Sequence, residues 1–248
     1  MDKTYIDNDC KIFTGKEAES RLSFDNDTPY LSYKGVTAVP EKRWNRAQNF
    51  EFKTWMILNP NSKDDRNMAH KRAFNDYECL KNENLPRVIE LGCGPFTNLR
   101  VFPDLGFTKI DLLDPLINTY LSHRNCTYAN KALFNKPVTL HEMPVESFRV
   151  EEPYDLVIII NVLSHCMDAN KALEVTYNAV RKGGYIVFHE CSSRIENIPN
   201  FYDAGHPIRL SESYLREFMS QFRTVYITET PMIGDDINKT CFYFIGQK

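Results

Sequence analysis

No run in this 248-residue chain approaches the roughly eighteen apolar residues that a membrane-spanning helix needs, which argues against an integral membrane protein. Basic charge is not in excess. With 30 lysines and arginines against 33 acids the formal net charge is -3, and the pI is near 6.1. That balance supplies no general pull toward phosphate backbones and argues against a nucleic-acid partner, a local basic patch apart. The opening MDKTYIDNDCKIF has neither the basic nor the apolar segment of a secretory leader, so a cytoplasmic location is expected. The seven cysteines, Cys10, Cys79, Cys93, Cys126, Cys166, Cys191 and Cys241, are odd in number and lack C-x-x-C spacing, and reduced thiols are expected. No metal-ligand cluster of firm spacing, no repeat, no low-complexity segment and no evident linker appears.

What is present is an ordinary globular composition, 25% charged and 42% hydrophobic, on a chain long enough for one sizeable core. Its informative stretch runs from Arg87 to Asp114, RVIELGCGPFTNLRVFPDLGFTKIDLLD. An apolar β-branched run, Val88 and Ile89, ends in Glu90 and then Gly92 and Gly94; a second apolar run ends in Asp114. This is a nucleoside-binding layout. Glycines at a strand-to-helix turn let a ligand approach the backbone, and an acid ending the next parallel strand can accept from two ribose hydroxyls. Asp111 is the rival for that acid, but it sits inside the strand. A dinucleotide fingerprint would carry a third glycine or alanine where Thr97 stands, and Glu90 would repel a pyrophosphate while suiting a cationic ammonium or sulfonium ligand.

Glu90-Leu91-Gly92-Cys93-Gly94-Pro95-Phe96 resembles the first motif of the class I S-adenosylmethionine-dependent methyltransferases, with Phe96 where many members have a third glycine. Three further stretches follow in the family's order: Glu142-Met143-Pro144-Val145-Glu146 at the adenine-contact position, Tyr154-Asp155-Leu156-Val157 leading to Asn161 and His165, and Arg181-Lys182-Gly183-Gly184 before a fifth strand. The resemblance implies a three-layer Rossmann-like α/β fold, mostly parallel with an antiparallel last strand, with S-adenosylmethionine as cofactor. It divides the chain into an N-terminal extension and helical lid over 1–84 and a cofactor-binding core over 85–248.

Periodicity places the elements. Residues 1–40 read as short strands or loop, with a turn at Asp25-Asn26-Asp27. Helices are expected over Glu41–Leu58, with Trp44, Ala47, Glu51 and Trp55 on one face, and over Ser62–Leu80, with Asp64 and Asp65 in its first turn. Strands are expected at Arg87–Leu91, Lys109–Leu113, Val138–Glu142, Leu156–Asn161 and Tyr185–Cys191. A short helix from Thr97 ends before Pro103, another starts at Pro115, and longer ones span Asn170–Arg181 and Ser211–Phe222. Two last strands, Thr224–Thr228 and Cys241–Ile245, flank Gly234-Asp235-Asp236.

Under the resemblance, Gly92, Cys93 and Gly94 lie against the methionyl part and ribose, Glu90 favours the ammonium, and Asp114 takes the ribose hydroxyls. Pro115, Val145 and Glu146 surround the adenine, and Asn161 ends a strand at the ligand crevice. Several bland roles compete: a buried acid satisfied by loop amides for Glu90, a helix cap for Asp114, a surface turn residue for Glu146. Trp44, Gln48 and Glu51 are substrate-side candidates, against a purely anchoring role for the tryptophan. His165 and His206 are candidate general bases, against hydrogen-bonded structural histidines. Of His189 and Glu190, strand alternation lets only one face the crevice. An Asn/Asp-Pro-Pro-Tyr signature is absent, as is a Pro-Cys context at Cys166. What remains is O- or N-methylation of a small molecule. A non-catalytic cofactor-binding regulatory or partner subunit is the alternative, and a nicotinamide-dependent oxidoreductase a weaker third reading.

Overall fold

The computed structural model describes residues 3–7, 9, 11–24, 32–63, 66–102, 106–194, 201–231 and 240–248. Ahead of the core come β1 (Thr4–Ile6), β2 (Ile12–Thr14), α1 (Gly15–Phe24), β3 (Gly35–Val36), α2 (Glu41–Lys53) and α3 (Arg66–Ala73). The core continues with β4 (Arg87–Leu91), β5 (Lys109–Leu113), α4 (Ile117–Tyr120), β6 (Ala132–Leu133), β7 (Lys136–His141), β8 (Tyr154–Ile160), α5 (Ala169–Ala179) and β9 (Val180–Cys191). It ends with β10 (Phe201–Asp203), β11 (Arg209–Leu210), α6 (Glu212–Met219), β12 (Arg223–Pro231) and β13 (Thr240–Gln247).

One eight-stranded sheet, in the order β12-β13-β9-β8-β4-β5-β7-β6, organises the molecule. From β9 to β7 neighbouring strands are parallel, while β13 runs antiparallel to both β9 and β12. This is the expected mostly parallel Rossmann-like sheet with an antiparallel last strand. The near-continuous apolar run of β8 follows from burial on both faces. Ile89, Val157, Ile159 and Phe188 point toward α5 and α6; Val88, Ile158, Ile160 and Val187 point the other way, toward Leu80, Phe102 and Tyr128. The chain leaves β4 for β5 and β7, then returns to place β8 on the other side of β4. That reversal opens a crevice at the C-terminal strand ends.

Caps at the core helices match the residue types there. Asp168 accepts from the amides of Asn170 and Lys171 at the start of α5, and Ser211 from that of Tyr214 at the start of α6. The helix expected over Ser62–Leu80 is broken: α3 stops at Ala73 and a 3-10 turn takes Asn75–Leu80. Asn75, Asp76 and Tyr77 have positive φ there. The break turns Tyr77 onto Phe102, ring centroids 3.9 Å apart, and onto Phe74 at 5.2 Å, so the three aromatic rings pack together in the core. The segment 1–40 holds a helix, α1, that its sequence did not announce, because among its described side chains only Ala18 is buried and no apolar stripe marks it. Strand boundaries move by a few residues at β7, β9, β12 and β13. The expectations at Asp25-Asn26-Asp27, Asp64, Asp65, Pro103 and Gly234-Asp235-Asp236, and Cys10, lie outside the described residues.

The cysteine expectation needs one correction. Cys191 and Cys241 form a disulfide, because the antiparallel register of β13 on β9 sets the two directly opposite each other. Cys79, Cys93, Cys126 and Cys166 are free thiols. No helix among the described residues is long and apolar enough to cross a membrane.

Candidate functional site

The glycine loop after β4 is fixed by its own chemistry. Gly92 has φ +70, and a Cβ there would stand 2.5 and 2.7 Å from the Val162 methyls, so the β4 and β8 turns touch at a point only glycine permits. Glu90 is 1% exposed. Its carboxylate accepts from Asn98 N at 3.0 Å and Asn98 Nδ2 at 2.9 Å, and from the Thr97 hydroxyl. Burial raises its pKa to about 7 despite these donors. Glu90 therefore holds the loop to the strand, and it does not line the cavity beyond.

Asp114, ending β5, accepts from Gly94 N at 3.0 Å through Oδ2 and from Leu116 N at 2.8 Å through Oδ1. Burial raises its carboxyl to about 6, against the two amides that lower it. Asp111 is instead engaged inside the sheet, 2.8 Å from His141 Nε2. Glu146 is buried and tied by Oε1 to the amides of Met167 and Asp168 at 2.7 and 2.9 Å; its Oε2 is buried with no hydrogen-bond partner among the described residues. Asn161 takes a left-handed φ of +57, which asparagine tolerates, and its amide donates to His189 O at 2.9 Å.

These groups line one cavity of about 290 Å³, near the lower end of the range for small-molecule sites. Gly92, Cys93, Gly94, Asp114, Pro115, Val145, Glu146 and Asn161 bound it on the sheet side, and Trp44, Gln48 and Glu51 on the α2 side. His165 and His206 join them there, so of the expected site residues only Glu90 falls outside the wall.

The α2 side is a set of linked polar groups. Trp44 Nε1 and Gln48 Nε2 both donate to the carbonyl of His165, at 3.1 and 3.2 Å. Glu51 accepts from Trp55 Nε1 at 3.2 Å and lies 3.5 Å from His165 Nδ1. His165 Nδ1 is 3.1 Å from Gly205 O; a carbonyl only accepts, so this nitrogen carries the proton. Burial holds the His165 pKa below the ordinary value, against the raising effect of Glu51. His206 behaves oppositely. Burial disfavours its cation, but the Asp203 carboxylate 2.7 Å from Nδ1, with Glu51 and Glu190, outweighs that and raises its pKa. The two rings lie 4.4 Å apart, centroid to centroid.

Neither His189 nor Glu190 faces this cavity. Glu190 accepts from Leu163 N at 2.8 Å and so braces the turn after β8; His189 lies against Tyr243 and His70. Asp203, marked in the sequence only by its place three residues before His206, is not among the expected site residues, nor are the α3 residues Arg66, Asn67 and His70, which also line the cavity. The latter carry no sequence signal, since the position of α3 is set by tertiary packing.

A family model described as "Methyltransferase domain" matches residues 61–225. No curated protein sequence matches the chain. Among solved structures it is similar to the N-methyltransferase NodS from Bradyrhizobium japonicum WM9 in complex with S-adenosyl-L-homocysteine, with 14% identity, TM-score 0.56, and 84% of this chain and 98% of that one covered. The magnesium protoporphyrin IX methyltransferase ChlM from Synechocystis PCC 6803 with bound SAM is similar with 12% identity, TM-score 0.59, and coverage of 85% and 99%. The 1,6-didemethyltoxoflavin-N1-methyltransferase from Burkholderia thailandensis is similar with 13% identity, TM-score 0.52, and coverage of 84% and 87%. At these identities the likeness is one of fold.

Proposed function

We propose that this chain, which belongs to the class I S-adenosylmethionine-dependent methyltransferase family, methylates an oxygen or nitrogen of a small molecule. The observation that carries the reading is the single cavity in which a glycine loop and Asp114 face a half lined by Glu51, His165 and His206. The residues fit the cofactor's chemistry: Gly94, whose Cβ position meets nothing within 4 Å, keeps backbone uncovered, Asp114 offers carboxylate acceptors for ribose hydroxyls, and Glu146 Oε2 is a dry acceptor suited to an amine edge. S-Adenosylmethionine, when bound, supplies an electrophilic methyl group on a sulfonium.

The chain's own part is to orient, to exclude water and to manage one proton. Trp44, Trp55 and Phe96 give the acceptor half apolar walls. With Nδ1 of His206 engaged by Asp203, Nε2 is the nitrogen that takes a proton from a hydroxyl or ammonium acceptor. Holding the acceptor in line supplies much of the remaining rate. In this reading α2 and α3 act as a lid belonging to the extension over 1–84, supported by the α2 and α3 residues that line the cavity. Two structural neighbours named for small acceptors, magnesium protoporphyrin IX and 1,6-didemethyltoxoflavin, support the substrate size. A cytoplasmic location accords with the free thiols of Cys79, Cys93, Cys126 and Cys166, while the Cys191–Cys241 disulfide is the feature that favours an oxidising one.

Calorimetric titration with S-adenosylmethionine, S-adenosylhomocysteine and NAD, followed by methyl-transfer assays on a panel of small hydroxyl and amine compounds, tests this. Binding of the two adenosyl ligands without a response to NAD, and methylation of a panel member, is the expected result. Failure of both adenosyl ligands to bind the folded protein would overturn it. Binding without transfer to any small acceptor would favour the regulatory-subunit alternative.

A further inference from the structure

We propose that His189, Cys191 and Cys241, with both cysteines reduced, form a binding site for a thiophilic divalent ion such as Zn²⁺, separate from the methyl-transfer cavity. The sheet register builds it. His189 and Cys191 are two residues apart on β9 and share a face, and β13 lays Cys241 opposite Cys191 and Tyr243 opposite His189. One ligand atom from each of His189, Cys191 and Cys241 can be chosen such that all lie within 4.8 Å of one another. Around a tetrahedral Zn²⁺, with bonds of about 2.0–2.3 Å, donor atoms stand roughly 3.5–3.8 Å apart, so the two sulfurs must separate and the imidazole must move little.

A second observation concerns His189 itself. It is 5% exposed, and its Nδ1 is buried with no hydrogen-bond partner among the described residues. Buried polar atoms are paired in the great majority of cases, and an orphaned one needs a reason. An imidazole kept for an ion supplies it. Cys191 is only partly buried, which gives an approach to the sulfurs. None of the three residues lines the cavity, although His70, whose ring centroid is 4.8 Å from that of His189, does. The ion therefore sits behind one cavity wall. Cysteine spacing could not reveal this site, because its ligands come from two strands fifty residues apart in sequence.

The disulfide and the ion compete for the same sulfurs. A dithiol or phosphine reductant delivers two electrons to the Cys191–Cys241 bond, and two protons complete the thiols. Ion binding then forms two metal–sulfur bonds and releases those two protons.

The full-length chain, reduced with a phosphine and freed of excess reagent without air, is titrated with Co²⁺ and then Zn²⁺. One equivalent of Co²⁺ should bind with a sulfur-to-cobalt charge-transfer band, displaced by Zn²⁺ and absent from the oxidised protein. C191S and C241S should each abolish the band, and H189N should weaken binding at least tenfold. Because a variant can fail to fold, the unsubstituted reduced protein is also alkylated with and without Zn²⁺: protection confined to Cys191 and Cys241 is expected. An undiminished band in C191S and C241S, unchanged affinity in H189N, or equal alkylation of both cysteines with and without Zn²⁺ would each overturn the site.

Discussion

Nδ1 of His206 stands 2.7 Å from Oδ2 of Asp203, three residues earlier in the same connection after β9. The pair divides its protonation unequally: burial would raise the Asp203 carboxyl, but the His206 hydrogen bond and charge hold it well below the usual range, while His206 is raised. A base with a raised pKa stays protonated to higher pH, so kcat/KM for a hydroxyl acceptor should climb with pH through an inflection above about 6.5. In D203N the imidazole loses its carboxylate partner. The inflection should then move to lower pH, and the plateau should fall about 10- to 100-fold as orientation is lost. Steady-state pH profiles of both proteins check this; an unmoved inflection would remove the dyad from the reaction.

Asp114 gives a second pH dependence, in binding. Its carboxyl, raised to about 6 by burial, is largely protonated at pH 5 in the free protein and ionised at pH 8. Ribose hydroxyls favour the ionised acceptor, so S-adenosylmethionine should bind more tightly at pH 8 than at pH 5. D114A should lower affinity by on the order of 1.5–3 kcal/mol and flatten that dependence. Calorimetry at the two pH values is the measurement, and unchanged affinity in D114A would exclude the residue from the site.

Both acids show how far the sequence could be read. Asp114 and the glycines were legible because strand-end position follows from a period-2 pattern that ends abruptly, and β4, β5 and α5 followed from local signals of the same kind. What escaped was set by distant contacts. The kink at Asn75, Asp76 and Tyr77 sets Tyr77 against both Phe74 and Phe102, the latter a partner on another element. The Cys191–Cys241 pairing needs the register of two strands, and α1 lacks the apolar stripe by which a helix is recognised.

The contact between Gly92 and Val162 makes a packing prediction. G92A forces a side chain into φ +70, at about 1–2 kcal/mol, and drives a methyl into the Val162 methyls. Chemical denaturation should show a loss above that φ cost alone. V162A in the same chain removes both clashing methyls at its own cavity cost, so the double variant should lose less than the sum of the G92A and V162A losses. Strictly additive losses would mean that the two turns do not meet as described.

Glu90 provides the last test, one of stability rather than binding. Its carboxyl, raised from 4.5 to about 7 chiefly by burial, binds a proton more tightly in the folded chain than in the unfolded one. For an acid shifted upward, the folded state is favoured below the unfolded pKa and loses that advantage as pH rises toward 7. The full shift corresponds to on the order of 3 kcal/mol. Other buried groups add slopes of either sign: Glu190 is raised like Glu90, whereas His189 is lowered to about 3 and rewards higher pH. The melting curve of the unsubstituted protein alone therefore does not isolate Glu90. Comparison with E90Q does, because the amide keeps one acceptor for the Asn98 amides but does not ionise. E90Q should be the less stable protein at pH 5, where the neutral acid still bridges Thr97 and Asn98, and the gap in Tm should narrow or reverse by pH 8. A constant gap across that range would mean that Glu90 is ionised throughout, as a carboxylate facing a ligand's ammonium would be, and not the dry clasp of the glycine loop.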